Sequence, residues 1–461
     1  MQFRRGVLAG VVGTVWLVGS GTVASAQSLI EALSLAYSHH PQLNAARANT
    51  RATDEGLGIA AAAGRPKLNA SGSYGFSETD VTLRNTQGGI SANYGLQPAS
   101  IGITLVQPLY AGGQIEAGKA QAEAAVRAQR EMLRTTEQTV LLGAATAFMD
   151  VIRDSALVGL QESNVKFLAE QVRAAKDRFG VGEGTQTDVA QATASYQLAI
   201  SQLNASRAQL NASRADFRQM IGKDPGKLNG ADAVDKLLPK SMEGAVQAAQ
   251  SEHPAILAGS HNVDVATQNV KMLEGALLPQ LGLTGSAARN WDNTSFKTMN
   301  DARVGLQLTV PLYQGGGEYA KIRQAKEQLG SAKIQVDQAR DSVRYNVVAA
   351  WGMLQAANAS IAAYKAQVDA SQLALNGVIE EQRVGQRTTL DVLNQQTALI
   401  TARSNLANAE RSRIVGSFQL VAAVGRLDAD HLRLKVVSYD PREHYDAVKD
   451  KWIGLRTPDG R

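Results

Sequence analysis

The chain has no cysteine among its 461 residues. That excludes disulfides, thiolate metal sites and a lipid-bearing cysteine behind a cleaved leader. Aromatic residues are scarce at 5%, although hydrophobic residues total 44%, much of it alanine. Such a mix suits thin helical layers better than a thick aromatic core. Charge of one sign is lacking too. The net charge is only +5, and no Lys/Arg run carries interleaved aromatics, so nothing marks a nucleic-acid partner. After residue 26 no apolar run reaches about 18 residues, so no membrane helix is expected there. Catalytic motifs are missing as well. Gly315-Gly-Gly317 and Gly180-x-Gly182-x-Gly184 lack both the G-x-G-x-x-G spacing and a P-loop lysine-hydroxyl pair. The six histidines form no H-E-x-x-H arrangement. No enzyme activity, cofactor or metal is expected.

What is present begins with an export signal. Arg4 and Arg5 precede an apolar run from Gly6 to Val18, and small residues end in Ala24-Ser25-Ala26. This pattern predicts a signal peptide over 1–26, cut after Ala26.

The mature chain repeats itself. Pro108-Leu-Tyr-Ala-Gly-Gly113 returns 203 residues later as Pro311-Leu-Tyr-Gln-Gly-Gly316. Val181-Gly182 answers Val384-Gly385, and Gly222 answers Gly425. Upstream, His40-Pro41 answers His253-Pro254. Two copies follow, 27–222 and 241–425, with a connector over 223–240 and a tail over 426–461. The tail is expected around the equator of the helical part. The first copy carries ten extra residues, read as a longer loop between Ser73 and Gly102.

No proline falls between Pro108 and Pro225, or between Pro311 and Pro441. These spans are free to be long helices. Val151, Val158, Val165, Val172 and Phe179 recur every seven residues, with Leu168 and Ala175 between them, as a heptad seam requires. Long helices are predicted at about 114–179 and 317–382. At 1.5 Å per residue each spans about 100 Å. Glycines stop them. Thr185-Gln-Thr-Asp188 and Thr388-Thr-Leu-Asp391 resemble capping boxes that open return helices at about 188–221 and 391–424. Each return helix is half as long, so a second short helix must lie end to end with it.

Between short and long helices the period becomes two. Leu68, Ala70, Gly72 and Tyr74 alternate with Asn69, Ser71 and Ser73, and Val304, Leu306 and Leu308 alternate with Gly305, Gln307 and Thr309. Strands are predicted at 67–76, 101–110, 280–287 and 303–310, each with one apolar and one wet face. Two readings stand at this point. One is a soluble sheet covered on its apolar side. The other is a membrane β-structure, with Tyr110 and Tyr313 as interfacial aromatics. Four strands cannot close a barrel and open edges are not tolerated in hydrocarbon, so the second reading requires several chains. Two chains would give a barrel nearly filled by side chains, whereas three would leave a channel.

The duplicated hairpins, both PLY-x-GG turns and the tips VGEGTQTDV and VGQRTTLDV together resemble the TolC-like outer-membrane factor family. The resemblance covers nearly the whole mature chain. It implies a mainly α fold with a membrane β-barrel: a homotrimer whose chains each give four strands to a twelve-stranded barrel on an α-helical tunnel. It also implies residence in the outer membrane among its lipid, with the tunnel extending into the periplasm. The partners it implies are a periplasmic adaptor (membrane fusion protein) and an inner-membrane transporter of ABC or RND type. The role would be a passive exit duct for efflux or type I secretion. Carried over residue by residue, Arg387 falls on the gate arginine, Thr187 and Asp188 on its partners, and Asp391 on an acidic pore-lining position. Gln382 and Asn394 depart from a tyrosine and an aspartate. The tips around Gly182, Thr185, Gly385 and Thr388 would dock the adaptor. Against these roles, Asp188 and Asp391 also suit plain helix caps, and Arg387 also suits a solvated surface. An exported coiled-coil filament or sheath is the rival function.

Overall fold

The computed structural model describes residues 27–85, 88–231, 234–292 and 297–460; the signal peptide expected over 1–26 lies outside them. Each repeat opens with a short helix and a sharp corner. α1 (Leu29–His39) leads into α2 (Pro41–Ala62), and α5 (Met242–Glu252) into α6 (Pro254–Gly275). Proline at the first helical position has no N–H to leave unpaired. His40 and His253 cap the second helix of each pair. Their Nδ1 atoms accept from Gln42 N at 3.3 Å and Ala255 N at 3.2 Å. An acceptor nitrogen must be unprotonated, and burial lowers the pKa of both rings.

The chain then enters the sheet. β1 (Lys67–Tyr74), β4 (Ala99–Ala111), β5 (Gln280–Trp291) and β6 (Thr298–Thr309) form one antiparallel sheet in the order β1-β4-β5-β6. The two repeats therefore meet at β4 and β5. In the second copy β5 runs four residues past the expected end and β6 starts five residues early. Polar Asn290 and Asn300 hide the alternation there, but antiparallel pairing carries both strands on toward their turn.

The insertion in the first copy is not a loop. β2 (Ser77–Asn85) and β3 (Gly88–Leu96) pair with each other as a separate two-stranded ribbon. The described residues thus hold six strands, four of which form the main sheet.

Long helices follow each returning strand. α3 (Gln114–Gly180) and α7 (Gly317–Arg383) have 67 residues each, about 100 Å. α4 (Gln186–Ile221) and α8 (Thr389–Val424) return with 36 residues each. The double glycines of PLY-x-GG make the strand-to-helix turn, with φ of 61° and 80° at Gly112 and Gly113, and 74° and 82° at Gly315 and Gly316. Left-handed backbone of this kind favours glycine.

Packing is thin, and alanine lets helices approach closely. At the midriff Phe148, Phe217, Phe418, Leu33 and Leu43 are buried where both repeats meet the tail residues Leu427 and Ala429. Toward the tips the seam narrows to Leu168, Ala175, Ala192 and Ala199 on one hairpin, and Leu375, Val392 and Leu399 on the other. The tail continues into α9 (Pro441–Val448), which lies on α2. There His444 Nδ1 is 3.1 Å from Asp54 Oδ2. Arg65 donates to Lys451 O at 2.9 Å and lies over the Trp452 ring.

Candidate functional site

Two features ask for a partner: the sheet face and the helix tips. On the sheet, the register aligns Leu68, Leu105, Gly285 and Val304 in one row. Leu306 and Leu308 extend that face, 68% and 64% exposed, while Val304 is 82% exposed. Among the described residues, the extensive packing of each strand is against other strands. No element of this chain among those residues shields that apolar face. The opposite face carries Asn69, Ser71, Thr104, Thr284 and Gln307. No described helix is long and apolar enough to cross a membrane. β1 and β6 are edges, each with one side unpaired.

Tyr110 lies at the helix-proximal end of β4, opposite Leu281 just past a bulge, and is 50% exposed. Tyr313 follows the end of β6 and is 79% exposed. Sequence reading missed the aromatics at the other end. Tyr74, Ala99 and Trp291 share one row there.

At the tips, Gly182 and Gly385 take φ of 80° and 81° and turn the chain out of the long helices. Both capping boxes form. Thr185 donates from N and Oγ1 to Asp188 Oδ2, at 3.0 and 2.7 Å, and Asp188 N donates back to Thr185 Oγ1 at 3.2 Å. Thr388 and Asp391 repeat this at 2.9, 2.8 and 3.2 Å. These bonds favour the ionised form. The Thr185 hydroxyl leads in holding Asp188 below the usual carboxylate range, and the Thr388 amide leads for Asp391.

The residues matched to the gate are only partly brought together. Arg387 is exposed, and its ion pair among the described residues is with Glu381, Nε to Oε2 at 2.8 Å. Thr187 is exposed beside half-buried Asp188. Gln382 donates to Thr389 Oγ1 at 3.2 Å. Thr389 is buried. Gln382 and Thr389 therefore tie α7 to α8 across the turn of the second tip. Asn394 is exposed. Neither Glu381 nor Thr389 stands out in the sequence, because the partner of each lies across a turn.

Above the tips the hairpins are bolted by buried and half-buried polar pairs. Gln396 Nε2 donates to Asn164 Oδ1 at 2.9 Å between α8 and α3. Ser213 donates to Asp154 at 2.5 Å between α4 and α3. Arg411 reaches Asp150 at 2.9 Å.

Comparison with known proteins gives the same outline. The family model described as "Outer membrane efflux protein" matches residues 32–223 and 245–426, one match per repeat. The chain is 45% identical over 456 residues to the outer membrane efflux protein BepC of Brucella suis biovar 1 (strain 1330), covering 98% of this chain and 97% of that one. It is 26% identical over 433 residues to the outer membrane protein TolC of Escherichia coli (strain K12), covering 90% and 86%. Among solved structures, the Campylobacter jejuni CmeC outer membrane channel superposes with a TM-score of 0.76 at 14% identity, covering 92% of this chain and 89% of that one.

Proposed function

This chain belongs to the outer membrane efflux protein family, whose members are export channels of the outer membrane, and from that premise we propose how its parts work. Three chains pool their sheets edge to edge, β6 of one against β1 of the next. Lipid covers the apolar face, and the polar face lines a water-filled lumen. The long helices continue the lumen inward as a tunnel. The observation that carries this reading is the uncovered apolar face with two open edges, since open edges cannot persist in hydrocarbon. An exported filament offers no occupant for that face.

The duct is passive, and an inner-membrane transporter supplies the energy through a periplasmic adaptor. The adaptor docks on the tips, around Gly182, Thr185, Gly385 and Thr388. Val181 and Val384 support this reading, because they stand 73% and 71% exposed on the two tips. Apolar side chains presented singly at a turn suit a partner's groove. Arg387 closes the inner end by reaching Thr187 and Asp188 of a neighbouring chain, while Glu381 steadies it. Asp391 faces the pore from its cap. Tyr110 and Tyr313 sit at the periplasmic-side interface of the outer membrane.

Co-purification after crosslinking in cells tests the docking. The wild type should retain an adaptor, and the paired change Val181→Asp with Val384→Asp should lose it while the outer-membrane assembly persists. Undiminished adaptor recovery by that variant would remove the tips as the docking surface.

A further inference from the structure

One charge stands among the apolar residues of the sheet. The register sets Arg289 opposite Ile101 of β4 and Asn300 of β6, on the face that carries Ile103, Leu105 and Ala287. Both flanking strands belong to the same chain, so a neighbour closing the sheet at β1 or β6 does not cover Arg289. Its side is the helix-free end of the sheet. Two residues on, Trp291 shares a row with Ala99 and Tyr74. The Arg289 guanidinium lies over the Trp291 ring, 5.2 Å from its centroid.

No carboxylate answers this cation. Among the described residues Arg289 is exposed and makes no ion pair. Asp301 pairs with Arg303, both on the opposite face. Asp292 accepts the Gln97 amide at 2.8 Å. The sequence between Asp292 and Lys297 holds no acid.

We propose that Arg289 and Trp291 form a binding site for the phosphate of a lipid headgroup at the outer rim of the barrel. The proposal rests on the reading of this face as lipid-facing. Arg289 lies about 7 Å along the strand from the aromatic row, two residues at the strand rise. A cation on the lipid face costs more with depth and little near the interface. Its long stem lets the guanidinium rise toward the headgroups. A planar fork of donors matches a phosphate, and an aromatic face holds that plane. With no ion pair to Arg289 among the described residues, the headgroup phosphate is the negative group offered at this height.

Native mass spectrometry of the detergent-purified assembly tests this, with diphosphoryl lipid A, phosphatidylglycerol and inorganic phosphate as separate probes. The wild type should retain the phosphorylated lipids. Arg289→Gln should weaken that retention about five- to ten-fold, while Arg303→Gln on the opposite face should leave it unchanged. Equal retention by Arg289→Gln overturns the site. Displacement of lipid by low concentrations of inorganic phosphate overturns the lipid as occupant. A nitroxide on Ala287→Cys separates the two readings, since the chain has no other cysteine. Oxygen accessibility at that label with unchanged lipid retention sinks the site alone. A label open to water-soluble relaxants sinks the lipid-facing reading with it.

Discussion

Arg387 donates from Nε to Glu381 Oε2 at 2.8 Å, so the tip arginine is already engaged within its own chain. The guanidinium keeps other donors for a neighbour. Arg387→Ser should raise the resting conductance in planar bilayers. The closed state should also loosen as salt rises, beyond the change in bulk conductivity, because exposed pairs are screened. An unchanged resting conductance in Arg387→Ser would remove the latch.

Gly112 and Gly275 bring two backbones together. A Cβ on Gly112 would meet Gly275 O at 2.2 Å, and a Cβ on Gly275 would meet Gly112 O at 2.4 Å. The matching Gly315 of the second repeat has open space around it. Gly315→Ala should therefore cost only backbone strain, about 1–2 kcal/mol. Gly112→Ala adds a backbone clash and should cost more, about 3 kcal/mol or above. The temperature at which the assembly dissociates on a gel reads the difference. Equal shifts would contradict the close approach.

Much of this architecture was legible in sequence because it is periodic and doubled. Heptads, proline gaps and paired threonine–aspartate caps are local signals, and each acts within one or two turns. The β2–β3 ribbon was read as a loop because only one copy has it, so no repeat exposed it. Glu381, Thr389 and Glu137 escaped notice for another reason. Their roles come from residues 6 to 292 positions away, and no local pattern records such a partner. Arg289 is an ordinary arginine until register shows which face it shares.

Glu137 is half-buried between α3 and the tail, where its Oε1 accepts from Ala429 N at 2.7 Å. Burial pushes its carboxyl from 4.5 up to about 7, helped by nearby Asp428. The folded pKa lies above the unfolded value, so the fold favours the protonated form. That contribution is complete below about pH 4.5 and is lost as pH rises through about 7, on the order of 3 kcal/mol. Hydrogen exchange of residues 427–436 should therefore quicken from pH 5 to 8, after correction for intrinsic rates. Glu137→Gln keeps an acceptor and should flatten that profile. A profile that Glu137→Gln leaves unaltered would reject this account of the tail.

Asn164 and Gln396 are both buried and satisfy each other across α3 and α8. Asn164→Leu strands the Gln396 amide and should cost about 1–3 kcal/mol. Adding Gln396→Leu should recover part of that loss. Thermal dissociation of the two single variants and the double variant gives the coupling. Additive losses would mean that the pair does not bolt the hairpins.

The mass of the detergent-extracted protein, by light scattering with the detergent subtracted, tests most directly whether one chain makes only part of the wall. The expected result is three chains per particle, recovered from the outer-membrane fraction. A folded single chain, stable in water without detergent, would contradict the account.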